Sequence, residues 1–339
     1  YWQMRPICPT SYGDSPYQSF STYAGNLYFI DLDLLCEQGL LFPEEYKERD
    51  WGNDPKQVDY GKIYESRYPV LRKAAERFAE QIPESYETFC RNNAYWLDDY
   101  ALFMALKEVH DGKPWQEWEP ELRNRDKKVL DLVLLQYMKK IQFWKIMQYL
   151  FFEQWNALRT YANEHGVQIM GDLPFYIGLD SADVWQNQNE FLLDSKGNPT
   201  HVAGVPPDYF SEDGQRWGNP IYNWKQMQRN HYDLWIHRLA WNEQQYDILR
   251  LDHFRAFDTY WQIPADCPTA KVGEWVLGPA YDFFDEVYRR LPNIRIVAED
   301  LGDLRKQVGT LRDHYNLMGM EVVSFELQPK LLKKPRKEH

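Results

Sequence analysis

Cysteine is scarce in this sequence, and long apolar segments are missing. The chain has four cysteines, widely scattered at positions 8, 36, 90 and 267. No CxxC pair and no cysteine–histidine spacing typical of a metal site occurs, which argues against a zinc motif and against a disulfide framework. We therefore expect reduced thiols and a cytoplasmic location. No run of about 18 apolar residues is present, so the sequence predicts no transmembrane helix.

Basic residues are also in the minority. Lysine and arginine number 39, against 51 aspartates and glutamates, and the formal net charge is −12. A surface of this sign repels phosphate backbones and anionic lipid, so neither nucleic acid nor a membrane is expected as a partner. A neutral substrate is compatible with this charge.

Aromatic residues, in contrast, are abundant. The 339 residues include 14 Trp, 24 Tyr and 17 Phe, 16% of the chain, and 44% of all residues are apolar. Most of these rings are expected in the core, which a chain of this length can build within one large α/β barrel. The excess nevertheless favours a carbohydrate ligand, because a sugar ring has an apolar face and a polar rim that match those of Tyr and Trp.

Short apolar segments that end near charged or polar residues recur along the chain. This pattern is typical of strands that feed functional loops at their C-terminal ends, as in a (β/α) barrel. The predicted strands are Trp2–Ile7, Val167–Asp172, Asp247–Asp252, Ile294–Glu299 and Glu321–Phe325.

The segments between these strands are long. Residues 65–165 have apolar residues at helical spacing and exceed one crossover connection, so we interpret them as a helical insertion. Residues 173–224, rich in Gly, Pro, Asn and Asp, are interpreted as an irregular substrate loop or lid region. We assign residues 1–325 to one catalytic barrel and residues 326–339 to a divergent basic tail. The predicted helices are Pro69–Ile82, Ala94–His110, Asp126–Met138 and Ile141–Glu164.

The segment Ile248–Arg255 contains the first candidate catalytic residue. Side chains alternate along a strand, so Arg250 and Asp252 point to the same side. An arginine beside a carboxylate favours the ionised form of the acid, and a nucleophilic aspartate requires that form. An ordinary arginine–aspartate ion pair at a strand end explains these residues equally well when they are taken alone.

Glu299 is the second candidate. It ends an apolar segment, and Gly302 lets the chain turn shortly afterwards. A carboxyl at the end of an apolar strand can keep its proton and act as a proton donor. The alternative is that Glu299 or Asp300 caps the following helix, and for Asp300 we favour the cap.

Two carboxylates at neighbouring strand ends suit glycosidic-bond chemistry. Adjacent strands lie about 4.8 Å apart, and a retaining mechanism needs carboxyl groups about 5–5.5 Å apart. A metal site is the competing use of Asp252, His253, Glu299 and Asp300. It is the weaker explanation, because alternation scatters these four groups over both faces.

Two loops combine aromatic residues with hydrogen-bonding groups. Residues 204–220 are interpreted as a lid that excludes water and holds a sugar chain, with a plain surface loop as the alternative. Residues 12–18 bring two tyrosines and a serine close to the end of the first predicted strand. Asp172 ends another strand, where it could bond sugar hydroxyls.

Five segments resemble amylomaltases, the disproportionating enzymes of glycoside hydrolase family 77. They occur in family order over most of residues 1–325. The resemblance implies a (β/α)8 barrel with insertions, which transfers α-1,4-glucan segments between maltooligosaccharides with retention and without a metal or organic cofactor. The matching segments are SYGDSPYQSFSTYAGN (11–26), GDLPFY (171–176), PPDYFSEDGQRWGNPIY (206–222), RLDHFRAF (250–257) and VAEDLG (297–302).

The resemblance also implies roles for individual residues. Asp252 corresponds to the nucleophile, and Glu299 corresponds to the acid/base. The expected substrate-binding residues are Tyr17, Asp172, Arg250 and His253 around the donor sugar, Ser15, Glu212, Gln215 and Trp217 on the acceptor side and lid, and Tyr12 farther along the glucan.

One feature of the family is missing from this sequence. Amylomaltases have a third catalytic aspartate in a His-Asp-Asn-Asp segment on a later strand, and this chain contains no such segment. By family order the strands present are the second to the sixth, so we expect an incomplete barrel, a chain truncated at both ends, and no activity from the chain alone. Two alternatives remain: a hydrolase of the α-amylase superfamily with the same carboxylates, and a glucan-binding protein without activity. The sequence predicts neither the preferred glucan length nor the oligomeric state.

Overall fold

The computed structural model describes residues 1–54, 56–209, 211–302 and 304–323, which form two β-sheets and a large helical layer. The strands in these residues are β1 (Trp2–Gln3), β2 (Ile169–Leu173), β3 (His201–Val205), β4 (Gln215–Pro220), β5 (Ile248–Leu251), β6 (Thr259–Pro264), β7 (Glu274–Leu277) and β8 (Ile296–Ala298). The α-helices are α1 (Leu32–Glu37), α2 (Tyr60–Glu80), α3 (Glu84–Val109), α4 (Pro120–Arg123), α5 (Lys127–Gln136), α6 (Met138–Glu164), α7 (Ala182–Gln186), α8 (Trp224–Arg229), α9 (Asp233–Gln245), α10 (Ala280–Arg290) and α11 (Lys306–His314).

The first sheet is parallel, with strand order β1-β2-β5-β8. Its central strands are short, apolar and buried, which is typical of parallel strands covered on both faces. Gly171 of β2 allows the ring of Tyr246 to pack directly on the sheet, since a Cβ atom there would lie 2.3 Å from that ring. Because the strands are parallel, their carboxyl ends meet at one edge of the sheet.

The second sheet is antiparallel, with strand order β4-β3-β6-β7. β3 and β4 form a hairpin in the connection between β2 and β5, and β6 and β7 belong to the connection between β5 and β8. The second sheet is thus built from segments that follow β2 and β5 in the chain. These two strands carry Asp172 and lead into Asp252.

The helical layer shares one apolar core with the parallel sheet. Helix α2 begins after Asp59, whose carboxylate accepts a hydrogen bond from the backbone amide of Lys62 at 3.0 Å. Phe152 of α6 packs against Trp96 of α3 and Trp241 of α9, with ring centroids 6.1 and 5.1 Å away. The long helices therefore pack onto the part of the chain that carries the sheet. Within the described ranges, no helix combines the length and the apolar character needed to cross a membrane.

Most of the predicted elements are present. The four predicted helices correspond to α2, α3, α5 and α6, although α2 begins at Tyr60 and contains Pro69 in its interior. Four of the five predicted strands are confirmed as β1, β2, β5 and β8, each shorter than predicted. The fifth, Glu321–Phe325, is not formed by residues 321–323, and its last two residues lie outside the described part of the chain.

The interpretation of residues 173–224 as an irregular region is wrong in one respect. This region contains β3, β4 and α7. Residues 206–209 and 211–214 form a loop at the hairpin tip, and Trp217 lies on a strand instead of on that loop. The predicted tail, residues 326–339, lies outside the described residues.

Candidate active site

The strand ends of the parallel sheet bring the candidate residues into register. Asp172 of β2 pairs with Arg250 of β5, and Leu251 pairs with Ala298 of β8. Asp252 and Glu299 each follow immediately, so they occupy neighbouring positions at the carboxyl edge of the sheet. Strand alternation directs Arg250 and Asp252 to the same face.

Arg250 links two carboxylates at this edge. Its Nη1 atom donates to Asp172 Oδ1 at 2.6 Å and to Asp252 Oδ1 at 2.8 Å. The other oxygen of Asp172 accepts a hydrogen bond from the Tyr17 hydroxyl at 2.6 Å. Asp172 is almost fully buried, so its charge is compensated within the protein by one guanidinium and one phenol.

The pKa of Asp252 is raised to about 6, chiefly because the carboxyl is buried. Arg250 acts in the opposite direction and lowers this pKa, while Asp172 and Glu299 raise it. Arg250 thus favours the ionised form, but burial outweighs the guanidinium and sets the direction of the shift. Asp252 is still mostly ionised at neutral pH, as a nucleophile requires.

Two backbone amides hold the Glu299 carboxylate. The His253 amide donates to Glu299 Oε2 at 3.0 Å, and the Leu301 amide donates to Oε1 at 3.1 Å. The Glu299 amide in turn donates to the Leu251 carbonyl at 3.0 Å. These contacts fix the carboxyl beside the turn that begins with Asp252.

His253 occupies a left-handed backbone conformation, with φ 51° and ψ 45°, which is uncommon for a residue with a side chain. Burial lowers the pKa of its imidazole to about 3, with a further contribution from Arg255. The ring is therefore neutral at ordinary pH. In the described part of the chain its Nε2 atom is shielded from solvent and has no hydrogen-bond partner.

A pocket of 320 Å³ opens beside these groups. The indole of Trp217 meets the His253 ring edge-on, with centroids 4.9 Å apart. Gln18 supports this wall, because its Nε2 atom donates to the Trp217 carbonyl at 3.1 Å and to Asn219 Oδ1 at 2.9 Å. The lining residues are Ser15, Tyr17, Gln18, Pro174, Phe175, Tyr176, Trp217, Asn219, Asp252 and His253.

The structure brings together most of the residues proposed from the sequence. Gln215 is exposed and accepts a hydrogen bond from Trp217 Nε1 at 3.1 Å. Glu212 is exposed at the hairpin tip and does not line the pocket. The side chain of Tyr12 lies outside what the structure describes. The proposed residues that line the pocket are Ser15, Tyr17, Trp217, Asp252 and His253. The proposed residues that adjoin the pocket through hydrogen bonds are Asp172, Arg250 and Glu299.

Five pocket residues were not singled out from the sequence, among them Pro174 and Phe175 of the GDLPFY segment. Gln18, Tyr176 and Asn219 lie within the motif segments, but motif membership alone does not distinguish a lining residue from a buried one. Tyr176 packs between Trp217 and Tyr222, with ring centroids 6.2 and 6.0 Å away. The place of Tyr176 in the pocket wall follows from the packing of these rings and not from the sequence.

Asp300 does not cap a helix, contrary to the sequence-based preference. Helix α11 begins at Lys306, and the residue at its N-cap position is Arg305. Asp300 instead forms an ion pair with Arg312 of this helix. Within the described ranges, no group of three or more His, Cys, Asp or Glu side chains is arranged to hold a metal ion.

Two carboxyls at adjacent strand ends, beside a pocket walled by aromatic rings, define the kind of site that carbohydrate-active enzymes of the α/β class have. The comparisons with known proteins agree with this class. The chain matches the 4-alpha-glucanotransferase family, glycoside hydrolase family 77, over residues 1–339, and it belongs to this family.

Curated relatives and a solved structure are similar over nearly the whole chain. The chain is 46% identical to a 4-alpha-glucanotransferase of Streptococcus pneumoniae over 97% of its length, which is 66% of that protein. It is 46% identical to the 4-alpha-glucanotransferase of Thermus thermophilus over 96% of its length, 65% of that protein. The amylomaltase from Streptococcus agalactiae, solved in complex with acarbose, superposes with a TM-score of 0.93 at 39% identity, covering 96% of this chain and 66% of that one. The chain thus spans about two thirds of the length of these relatives.

Proposed function

We propose that residues 1–339 form the centre of a 4-α-glucanotransferase, which transfers α-1,4-glucan segments between maltooligosaccharides with retention. The observation that carries this proposal is the adjacent placement of Asp252 and Glu299 at strand ends beside the aromatic pocket. Family membership supports the substrate class.

Asp252 is the proposed nucleophile. Its carboxylate attacks the anomeric carbon and forms an ester bond to the sugar, while the glycosidic C–O bond to the leaving glucan breaks. Burial lessens the solvation of this carboxylate, and the hydrogen bond from Arg250 keeps one of its oxygens in place. Both effects support a preorganised nucleophile.

Glu299 is the proposed acid/base. It gives its proton to the leaving oxygen in the first step. In the second step it takes the proton of an acceptor hydroxyl, whose oxygen attacks the anomeric carbon and releases Asp252. The two backbone amides on Glu299 favour a fixed carboxyl orientation, which proton transfer in both directions needs.

The surrounding residues are proposed to bind the glucan. Tyr17, Asp172, Arg250 and His253 form the donor side, and Ser15, Gln215 and Trp217 form the acceptor side. The position of His253 in the lining of the pocket supports its place on the donor side. Glu212 and Tyr12 are proposed contacts of a longer glucan, since Glu212 lies outside the pocket.

The fold is proposed to be a (β/α)8 barrel with insertions, of which this chain carries about the second to the sixth strand. Residues 65–165 are the proposed helical insertion, and residues 173–224 contribute the proposed acceptor wall and lid. The parallel order β1-β2-β5-β8 supports this assignment. We further propose a cytoplasmic enzyme that uses no cofactor and binds no nucleic acid.

Transfer and hydrolysis differ in whether water reaches the glycosyl–enzyme ester. Trp217, His253 and Tyr176 wall the pocket with rings, which favours a stacked sugar over water at the acceptor position. The glucanotransferase reaction therefore requires this wall to remain closed around the acceptor.

The test compares two proteins incubated with maltotriose. The first is the chain as it stands, and the second is a chimaera completed with the part of the Streptococcus pneumoniae relative that lies outside the matched residues. We expect the chimaera to release glucose and to form glucans longer than maltotriose. The chain alone, without the third family aspartate, is expected to bind maltotriose in calorimetry without turnover. Formation of shorter products only would identify a hydrolase, and the absence of both binding and turnover in the chimaera would reject the proposal.

A further inference from the structure

Asp300 lies next to Glu299 but faces away from the pocket. Its side chain is 8% exposed and forms an ion pair with Arg312 of α11. Its Oδ1 atom also accepts a hydrogen bond from the backbone amide of Met320 at 2.8 Å. This carboxylate therefore fixes a backbone segment that is distant in sequence.

The segment 318–320 runs beside β8. The Ala298 amide donates to the Met318 carbonyl at 2.7 Å. Gly319 packs so closely that a Cβ atom there would lie 2.5 Å from Asp300 Oδ2. Any side chain at position 319 would displace the carboxylate, so the contact between this segment and Asp300 depends on the glycine.

The side chain of Met320 reaches Arg250 of β5. Its Sδ atom accepts a hydrogen bond from Arg250 Nε at 3.3 Å. The Nη1 atom of the same guanidinium is shared by Asp172 and Asp252. A thioether is a weak acceptor, but its packing limits the directions in which the guanidinium plane can turn.

We propose that Asp300 is a positioning residue that acts on Arg250 through Met320. Its carboxylate fixes the Met320 amide, and the Met320 sulfur then holds the guanidinium between Asp172 and Asp252. The inference rests on the proposed function only in the role that it gives to Asp252. The contacts themselves are independent of substrate.

A purely structural role of Asp300 makes a different prediction. If Asp300 only ties α11 to the sheet, its loss lowers stability and leaves Asp252 unchanged. If Asp300 positions Arg250, its loss moves a positive charge away from Asp252. The charged groups that face the Asp252 carboxyl are Arg250, which lowers its pKa, and Asp172 and Glu299, which raise it. The pKa of Asp252 therefore distinguishes the two roles.

The experiment is a carbon-13 NMR titration of the chain labelled at the aspartate carboxyl carbons, without substrate. The Asp252 resonance is assigned from its loss in Asp252→Asn. In Asp300→Ala and Met320→Leu we expect the pKa of Asp252 to rise by about 1, the lower end of the effect of a neighbouring opposite charge. Asp300→Asn keeps an acceptor for the Met320 amide, so its effect is expected to be smaller.

Asp313→Asn is the matched control. Asp313 also pairs with Arg312, at 2.7 Å, but it has no contact with Met320. An unchanged Asp252 pKa in folded Asp300→Ala would overturn the proposal, and so would an equal rise in Asp313→Asn. If Asp300→Ala does not fold, Met320→Leu decides in the same way. The titration measures no turnover, so failure of glucan transfer would leave its result intact. An unchanged Asp252 pKa would in turn leave the proposed glucan transfer intact.

Discussion

Gln148 holds the backbone of Gly25 from both sides. The Gly25 amide donates to Gln148 Oε1 at 2.7 Å, and Gln148 Nε2 donates to the Gly25 carbonyl at 3.0 Å. Gln148 is fully buried on α6, and Gly25 follows the segment that carries Tyr17. Helix α6 is thereby attached to one wall of the candidate active site.

The close contact at Gly25 predicts a large loss of stability on substitution. A Cβ atom there would lie 2.0 Å from the Phe151 ring, so Gly25→Ala must shift α6 or break the Gln148 pair. We expect thermal denaturation to show a loss of about 3 kcal/mol. Gly309→Ala in α11 is the control: a Cβ atom there has no neighbour within 4 Å, and we expect a gain of about 0.5–1 kcal/mol. Equal effects of the two substitutions would contradict the packing described.

The raised pKa of Asp252 predicts a pH-dependent gain in stability for Asp252→Asn. The folded state holds the proton up to about pH 6, whereas the ordinary value is 3.8. Between these values the folded state binds more protons than the unfolded state, so this carboxyl lowers stability as the pH rises. Asp252→Asn is expected to be more stable than the parent by about 1–2 kcal/mol at pH 7, reduced for partial exposure, and to lose this advantage below about pH 4. Melting curves at both pH values test this, and an advantage that is independent of pH would contradict it.

In a full-length, active form, Asp252→Asn is also expected to abolish the covalent glycosyl–enzyme intermediate while leaving glucan binding largely intact. An amide oxygen is a poor nucleophile, but its shape preserves the site. Mass spectrometry of the trapped enzyme and calorimetry with maltotriose measure the two properties. Asp266→Asn, at an exposed position, is the control. Near-normal turnover in Asp252→Asn would remove this residue from the role.

Trp217→Ala in the same active form is expected to raise the ratio of hydrolysis to transfer. The substitution removes stacking area and opens the pocket wall beside His253 to water. Product analysis by chromatography gives both rates from one reaction. Trp275→Ala on β7, where the ring is 43% exposed and does not line the pocket, is the control. If the rates of hydrolysis and transfer fall by the same factor, Trp217 serves only to maintain the structure of the site.

The β1 side of the sheet predicts self-association of the chain. β1 lies at the end of the strand order, next to a groove of 610 Å³ lined by Trp2, Phe29 and Leu158 among others. These three side chains are 67%, 61% and 55% exposed. Apolar groups beside an unpaired strand edge promote association. Size exclusion should show oligomers or poor solubility, lessened in the double substitution Trp2→Lys, Leu158→Lys. A monodisperse monomer would contradict this prediction.

The parallel strands β2, β5 and β8 could be predicted from the sequence, because each is a mostly buried apolar segment that ends near a charged residue. Asp252 and Glu299 were proposed by the same reasoning. The antiparallel sheet could not be predicted in this way. β4 reads Gln-Arg-Trp-Gly-Asn-Pro, which has no clear alternation, and it is a strand because β3 lies beside it.

The electrostatics of the site depend on contacts that a local motif does not contain. The Arg250–Asp252 spacing suggested an acid held ionised by its neighbour, but the buried surroundings come from several distant segments. The partner of Asp300 is Arg312, twelve residues on, and it replaces the helix cap that the local sequence favoured. Both features arise from tertiary packing.

The order in which the parallel sheet closes follows from the strand pairing of β1 with β2. Trp2 pairs with Ile169, so helices α1 to α6 lie in the loop between them. Local helical contacts form much faster than a pairing across so long a loop. The walls around Tyr17 and Asp172 can therefore meet only late in folding, and a partly folded chain can have its helices complete while the pocket has not yet formed.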